Sequence, residues 1–155
     1  MNLLLMRHCE AAAREGDESD LQRSLTPRGR AAAISMGEVL HAHQLIPARV
    51  LVSPSRRTQE TVEGLLSVLG EVEVCVLDRL YNADAMTILE VIHARGRGAD
   101  PLLVVAHNPG LETTVSNIQG HIVPFPVGAV AQAVLTPGQE SRLQRVWRPD
   151  EILSR

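Results

Sequence analysis

Short apolar runs alternate along the chain with segments that have apolar positions three or four residues apart. The runs are rich in Leu, Val and Ala, as expected of strands. The three- or four-residue spacing in the segments between the runs is typical of helices that pack on a sheet. The predicted strands are residues 3–6, 50–53, 72–77, 102–106, 129–135 and 143–147. Apolar and polar residues alternate in 72–77, which predicts a partly exposed edge strand.

Proline and capping residues mark the starts of four predicted helices, and glycines mark their ends. The predicted starts are Thr26 with Pro27, Pro54, Asp84, and Asn108 with Pro109. The first of these helices is predicted to end before Pro47. The other three are predicted to end at Gly70, at Gly96 with Gly98, and at Gly120. Residues 9–25 and 123–128 are predicted to be loops, a turn around Pro137 and Gly138 joins the last two strands, and residues from Arg148 onward are predicted to be a loose tail.

The regular order of strand and helix predicts an α/β protein. We expect a three-layer α/β/α sandwich around a mostly parallel central sheet. The length, 155 residues, is that of one ordinary domain, so residues 1–155 are predicted to form a single domain.

Composition narrows the possible functions. Hydrophobic residues make up 45% of the chain and charged residues 21%, values typical of a soluble globular protein. Aromatic residues are only 2% and the net charge is −3, which disfavours a nucleic-acid partner. There is no apolar stretch long enough for a membrane span and no signal-peptide pattern, so we expect no membrane partner and a cytoplasmic location. All 15 basic residues are Arg, which excludes chemistry that needs a lysine.

Chemically active side chains follow three of the predicted strands. Arg7-His8-Cys9-Glu10 follows the first, Ser53-Pro54-Ser55-Arg56-Arg57 the second, and His107-Asn108-Pro109 the fourth. Parallel strands would bring these groups to one edge of the sheet, where α/β proteins bind ligands. Arginine binds phosphate oxygens in a bidentate manner, and helix N-termini attract anions. The sequence therefore predicts a pocket for phosphate or a sulfate-like anion.

A neutral histidine in such a pocket can attack phosphorus and form an N–P bond. Arginine and histidine can supply the positive charge that the transferring group requires. We therefore expect neither a metal ion nor a cofactor.

Four motifs make the chain resemble the histidine phosphatase superfamily, also called the phosphoglycerate-mutase-like family, and within it the SixA-type phosphohistidine phosphatases. The motifs occur in family order over about two thirds of the chain. They are Arg7-His8-Cys9; Asp20, Arg23, Leu25, Thr26 and Gly29; Ser53, Pro54, Arg57 and Thr61; and Ala106-His107-Asn108-Pro109-Gly110.

The resemblance implies a phosphoglycerate-mutase-like fold with His8 as nucleophile and Arg7, Arg57 and His107 holding the phosphoryl group. Asp20 and Glu10 lie in the loop after the first predicted strand and are candidate substrate contacts, as is Asn108. Arg23 is a further candidate, or it pairs with Asp20 and only pins the loop. A shift of one residue would place Arg56 in the pocket in place of Arg57.

Cys9 stands where the family usually has Gly, so its backbone must have a negative φ or little strain. The Cys-x5-Arg spacing of tyrosine phosphatases is absent, since only four residues separate Cys9 from Arg14. We expect Cys9 to be a packing residue.

The sequence offers no clear general acid, although Asp20 and Glu10 are candidates. Imidazole leaves more easily than an alcohol, so this lack favours phosphohistidine on a protein as the substrate. The short chain also leaves little room for a cap over the site. Two alternatives stay open: a phosphatase of small phosphomonoesters in the same superfamily, and a catalytically weak phosphoprotein-binding module.

Overall fold

The computed structural model describes residues 1–153. The strands are β1 (Asn2–Arg7), β2 (Arg49–Val52), β3 (Glu73–Val76), β4 (Leu102–Ala106), β5 (Val130–Val134) and β6 (Arg142–Trp147). The α-helices are α1 (Pro27–Ala42), α2 (Arg56–Leu69), α3 (Ala85–Arg95), α4 (Gly110–Gln119) and α5 (Pro149–Leu153). Two 3₁₀ turns, Asp20–Gln22 and Asp78–Leu80, lie in the loops.

The six strands form one sheet in the order β3-β2-β4-β1-β5-β6. The first four in that order are mutually parallel, β5 pairs antiparallel with β1, and β6 pairs antiparallel with β5. In the central pair, Leu3 lies opposite Leu102 and Arg7 lies opposite Ala106. Strands β1 and β4 therefore end side by side, and the residues that follow them leave the sheet at the same edge.

Both faces of the sheet are covered by helices, which confirms the predicted three-layer α/β/α sandwich. Side chains alternate along β1, so that Leu4 and Met6 pack with α1 and α2 while Leu3 and Leu5 pack with α3 and α4. β3 is an edge strand with mostly exposed side chains, as its alternation predicts. Within residues 1–153, no helix has the length and apolar character needed to cross a membrane.

Two helices begin slightly later than predicted. α2 starts at Arg56, two residues after Pro54, because the Ser55 hydroxyl accepts a hydrogen bond from the Thr58 N–H and makes Ser55 the N-cap. α4 starts at Gly110, and its N-cap position is Pro109. The Asn108 side chain, one residue before this N-cap position, still accepts a hydrogen bond from the Glu112 N–H at 3.2 Å. Asn108 therefore supplies an acceptor for the first turn of the helix.

The predicted loose tail from Arg148 is wrong. Residues 149–153 form α5, and Ile152 packs at the border of the α1 and α2 core. The start of this helix has the local features of an N-terminus, since Pro149 is its first residue and Asp150 and Glu151 occupy its first turn. Ser154 and Arg155 lie outside the described residues.

Candidate active site

The first histidine of the site emerges directly from β1. The His8 N–H donates to Ala106 O at 3.2 Å, which continues the β1–β4 ladder by one step. His107 follows Ala106 at the end of β4. The two imidazole rings lie with centroids 5.4 Å apart and planes inclined at 56°. The parallel register thus brings together two residues that are 99 positions apart.

The tautomer of His8 follows from its one ring contact. Its Nδ1 lies 2.7 Å from Cys9 O, and a carbonyl oxygen can only accept, so Nδ1 carries the hydrogen and Nε2 keeps a lone pair. The residue is 8% exposed. Burial lowers the pKa of His8 to about 4, the bond to Cys9 opposes this, and the charges of Arg57 and Arg7 lower the pKa further. At neutral pH this imidazole is uncharged and can act as a nucleophile.

His107 is fixed at both ring nitrogens. Its Nε2 lies 2.7 Å from Ser53 Oγ, and its Nδ1 lies 3.4 Å from Arg57 Nη2. Since guanidinium only donates, Nδ1 is the acceptor and Nε2 donates to the serine. Burial, followed by the charge of Arg57 and the nearby His8, lowers the pKa of His107 to about 3. Ser53 belongs to a motif quoted from the sequence, but we did not predict it as a site residue.

Arg57, and not Arg56, enters the site. Arg57 is 4% exposed, and its Nη1 and Nη2 donate to Asp20 O at 2.8 Å and to Asp20 Oδ2 at 3.0 Å. Arg56 lies on the surface of α2, with its Nε 3.7 Å from Glu60 Oε2. The structure therefore places Arg57 at the site, as the spacing of the family motif predicts.

Arg7 is the second arginine at the site. Its Nη1 donates to Phe125 O at 3.2 Å. Burial lowers the pKa of the Arg7 guanidinium, and the charge of Glu112 opposes that shift. The Nε–H groups of Arg7 and Arg57 are both buried and have no acceptor among the described residues. Both arginines also line the cavity of the site, where a guanidinium can donate to a bound anion.

Asp20 is held as an ionised acceptor. Tyr81 Oη donates to its Oδ2, and Arg23 Nη1 donates to its Oδ1 at 3.2 Å. The bond from Tyr81, with those from Arg23 and Arg57, lowers the pKa of Asp20 well below its usual range, although burial opposes the shift. Asp20 therefore accepts hydrogen bonds at neutral pH and does not supply a proton.

Sequence reasoning missed Tyr81. It is the only tyrosine of the chain and follows the 3₁₀ turn after β3, outside every quoted motif. Its ring stands edge-on to His107, with centroids 5.6 Å apart. The only sequence signal was the scarcity of aromatic residues, which makes a lone tyrosine in a loop at the carboxyl edge of the sheet noticeable.

The remaining predicted site residues line the same cavity, and each also makes a hydrogen bond to another part of the protein. Arg23 also donates from Nε to Ala12 O at 2.9 Å, so it pins the loop and still reaches the cavity wall. Glu10 Oε1 accepts from Thr26 Oγ1 at 2.9 Å. Asn108 Nδ2 donates to Phe125 O at 2.8 Å. Each of the three therefore has a structural contact as well as a place at the cavity.

Every predicted site residue lines one cavity of about 560 Å³. Its lining is Arg7, His8, Glu10, Ala11, Asp20, Arg23, Arg57, Tyr81, Asn82, His107, Asn108 and Val127. The helix N-termini contribute less than expected, because Ser55 caps α2 and Asn108 accepts from the first turn of α4. The cationic groups of the cavity are the three arginines. Among the described residues, no group of three or more His, Cys, Asp and Glu side chains could hold a metal ion.

Cys9 fits the backbone without strain. It is not among the described residues with positive φ, its side chain is fully buried, and its N–H donates to Thr61 Oγ1 at 3.0 Å. Burial raises the pKa of the Cys9 thiol to about 12. The thiol is therefore protonated and packed in the core, as expected of a structural cysteine.

Comparison with known proteins identifies the family. The sequence profile of the histidine phosphatase superfamily (branch 1) matches residues 3–90. The chain belongs to the histidine phosphatase superfamily.

Individual relatives define the branch. An uncharacterised protein of Mycobacterium tuberculosis is 33% identical over 119 residues, which cover 74% of this chain and 72% of that protein. A SixA from Agrobacterium tumefaciens, provisionally assigned as a phosphohistidine phosphatase, superimposes with a TM-score of 0.86 at 25% identity over 96% of this chain and 97% of that chain. The protein histidine phosphatase SixA complexed with tungstate has a TM-score of 0.86 and 25% identity, covering 97% of this chain and 99% of that chain. These similarities place the protein in the SixA-type branch of the superfamily.

Proposed function

We propose that this phosphatase removes the phosphoryl group from phosphohistidine on a protein, through a covalent intermediate on His8. The observation that carries the proposal is that an uncharged His8, with its Nε2 lone pair free, lines the same cavity as Arg7 and Arg57. A nucleophile and donors for phosphoryl oxygens thus line one cavity.

In the first step the Nε2 lone pair of His8 attacks phosphorus. The N–P bond of the substrate breaks, its electron pair returns to the substrate imidazole, and that imidazole leaves with a proton from solvent. Arg7 and Arg57 donate hydrogen bonds to the phosphoryl oxygens and stabilise their negative charge. His107 completes the cradle and is held in place by Ser53.

In the second step water attacks the phosphorus of phosphorylated His8. The His8–phosphorus bond breaks, inorganic phosphate leaves, and His8 returns to its neutral form. Arg7, Arg23 and Arg57 supply the positive charge at the cavity, so the proposal needs no metal ion and no cofactor.

The state of Asp20 supports an N–P substrate over a phosphomonoester. An alkoxide leaving group requires a proton donor, whereas Asp20 is held ionised by Tyr81, Arg23 and Arg57. When one N–P bond is exchanged for a similar one, the leaving imidazole depends less on a general acid than an alkoxide does. Tungstate is a tetrahedral oxyanion like phosphate, so a SixA protein that forms a complex with tungstate supports the binding of a phosphoryl group by this chain.

A phosphomonoesterase is the second candidate, because Glu10 also lines the cavity. Its carboxylate accepts from Thr26 Oγ1, and in its protonated form Glu10 could give a proton to the leaving alkoxide oxygen. The third possibility, a catalytically weak binding module, was considered because Cys9 replaces the Gly that is usual in the family. Cys9 packs in the core without a positive φ, so the replacement does not distort the site.

A direct comparison of substrates tests the proposal. Phosphate release is measured with a histidine-phosphorylated protein, phosphoserine and p-nitrophenyl phosphate, each with and without EDTA. The expected result is the highest kcat/KM for the phosphohistidine protein, unaffected by EDTA. Glu10→Gln serves as the matched variant: a phosphomonoesterase with Glu10 as acid would turn over esters faster than the N–P substrate and lose the ester activity on this substitution.

A further inference from the structure

The loop of residues 121–128, between α4 and β5, forms the wall behind Arg7. Phe125 O accepts hydrogen bonds from Arg7 Nη1 at 3.2 Å and from Asn108 Nδ2 at 2.8 Å. Val127 lines the cavity itself. The position of the Phe125 carbonyl therefore helps to set where the Arg7 guanidinium lies.

The peptide unit between Pro124 and Phe125 is fixed at both ends by charged side chains. Pro124 O accepts from Arg148 Nε at 3.1 Å and from Arg148 Nη2 at 2.9 Å. The Phe125 N–H donates to Glu112 Oε1 at 2.9 Å. A peptide unit is planar, so these contacts fix the orientation of the whole unit and the direction of the chain into the next carbonyl, Phe125 O.

Arg148 comes from the end of the chain, between β6 and α5. The segment that carries it lies against the loop: a Cβ atom added at Gly128, which has φ +78°, would lie 2.7 Å from Pro149 Cγ. Arg148 is not among the residues that line the cavity, and its side chain is 25% exposed. Its contact with the site therefore runs through the loop.

We propose that Arg148 is a positioning residue for Arg7. It holds the Pro124–Phe125 unit, and through Phe125 O it orients the guanidinium that binds phosphoryl oxygens. Without Arg148, the carbonyl of the exposed Pro124 turns to water at little cost, whereas Arg7 loses the fixed orientation of its acceptor. The inference rests on the proposed function, because it assigns Arg7 to the phosphoryl group.

Tungstate binding to the full chain, measured by calorimetry, tests this separately from turnover. Arg148→Ala is expected to weaken tungstate binding about fivefold, about 1 kcal/mol. Arg148→Lys keeps the positive charge but lacks the forked donors of a guanidinium. Its tungstate affinity is expected to lie between those of the wild type and Arg148→Ala. The matched control is Arg145→Ala, because Arg145 contacts His43 and Trp147 and should leave tungstate binding unchanged.

A double-mutant cycle separates positioning from general loosening. In an Arg7→Lys background, Arg148→Ala should add little further loss, since Phe125 O no longer orients a guanidinium. In an Arg57→Lys background it should add its full fivefold loss. Equal losses in both backgrounds would overturn the assignment to Arg7. If Arg148→Ala does not fold, Arg148→Lys against Arg145→Lys decides the question in the same way.

The two proposals fail differently. If the wild-type chain does not bind tungstate, the proposed function fails. If the wild type binds tungstate and Arg148→Ala binds it equally well, only the role of Arg148 is refuted. With the phosphohistidine substrate, the positioning role predicts a raised KM with a smaller change in kcat.

Discussion

Arg57 holds Asp20 at two points, its main-chain oxygen at 2.8 Å and its carboxylate at 3.0 Å. One contact anchors the loop of residues 9–25 to α2, and the other places a carboxylate behind the guanidinium. Arg57 also lines the cavity. The arginine is therefore oriented before any phosphoryl group arrives, which lowers the cost of binding.

Arg57→Lys is expected to lower kcat/KM for the phosphohistidine substrate by about 10- to 100-fold. Lysine keeps the charge but cannot make both Asp20 contacts while donating to the ligand, and hydrogen bonds to charged groups contribute about 1.5–3 kcal/mol. Steady-state kinetics measures the effect. The matched control is Arg56→Lys, which should behave like the wild type; a loss of the same size there would contradict the assignment.

Tyr81→Phe is expected to lower the free energy of unfolding by about 1 kcal/mol at pH 7, because the ionised Asp20 loses a donor and is partly solvated. The folded pKa of Asp20 is below its unfolded value, so the contribution is present above pH 4 and is lost as the pH falls further. Urea unfolding of both proteins at pH 7 measures the loss of free energy, and NMR titration of the Asp20 carboxyl should show a higher pKa in Tyr81→Phe than in the wild type. An unchanged pKa of Asp20 would show that Tyr81 does not act on it.

Ser53→Ala leaves the buried His107 Nε2–H without its acceptor and is expected to cost about 1–3 kcal/mol of stability. The imidazole then keeps only its 3.4 Å contact with Arg57 and is held less firmly, so kcat should fall as well. Denaturation and kinetics on the same preparations test both effects. Ser67→Ala is the comparison, since Ser67 is exposed on α2 and bonds only to Gly64 O; a similar loss of kcat there would count against a role for Ser53.

Stability should fall as the pH is lowered from 6.5 towards 4. The folded pKa values of His8 and His107 are about 4 and about 3, below the ordinary value of 6.5, so the unfolded chain binds more protons in this range. Each histidine then destabilises the fold by up to about 1.4 kcal/mol per pH unit. Unfolding in urea from pH 7 to pH 4.5 should show a shallower slope for His8→Asn than for the wild type, and an equal or steeper slope would contradict the neutral state of His8.

Much of the fold could be predicted from the sequence, because the strands of a parallel sheet are continuous apolar runs and the helices begin at Pro or capping residues. The residues that follow β1, β2 and β4 could be placed together for the same reason, since strand ends at one edge meet. The spacing of a quoted motif also distinguished Arg57 from Arg56. That residues 1–155 form one domain stays a prediction.

Contacts that join distant loops could not be predicted. Tyr81 reaches Asp20 from a segment 61 residues away, and Arg148 reaches Pro124 from the far side of β6. No local pattern encodes such a contact, because it depends on how two irregular segments lie in space. The helix α5 was missed for a different reason: Pro149 with Asp150 and Glu151 was a valid local signal, but the segment was short and terminal.

The central claim is that His8 carries the phosphoryl group, and trapping the intermediate tests it most directly. The chain is mixed with ³²P-labelled phosphohistidine protein, quenched in alkali, which preserves phosphohistidine, and digested for peptide mapping. The account predicts label on the peptide that contains His8 in the wild type, and neither label nor phosphate release with His8→Ala. Phosphate release that survives in His8→Ala, or label on another residue, would contradict it.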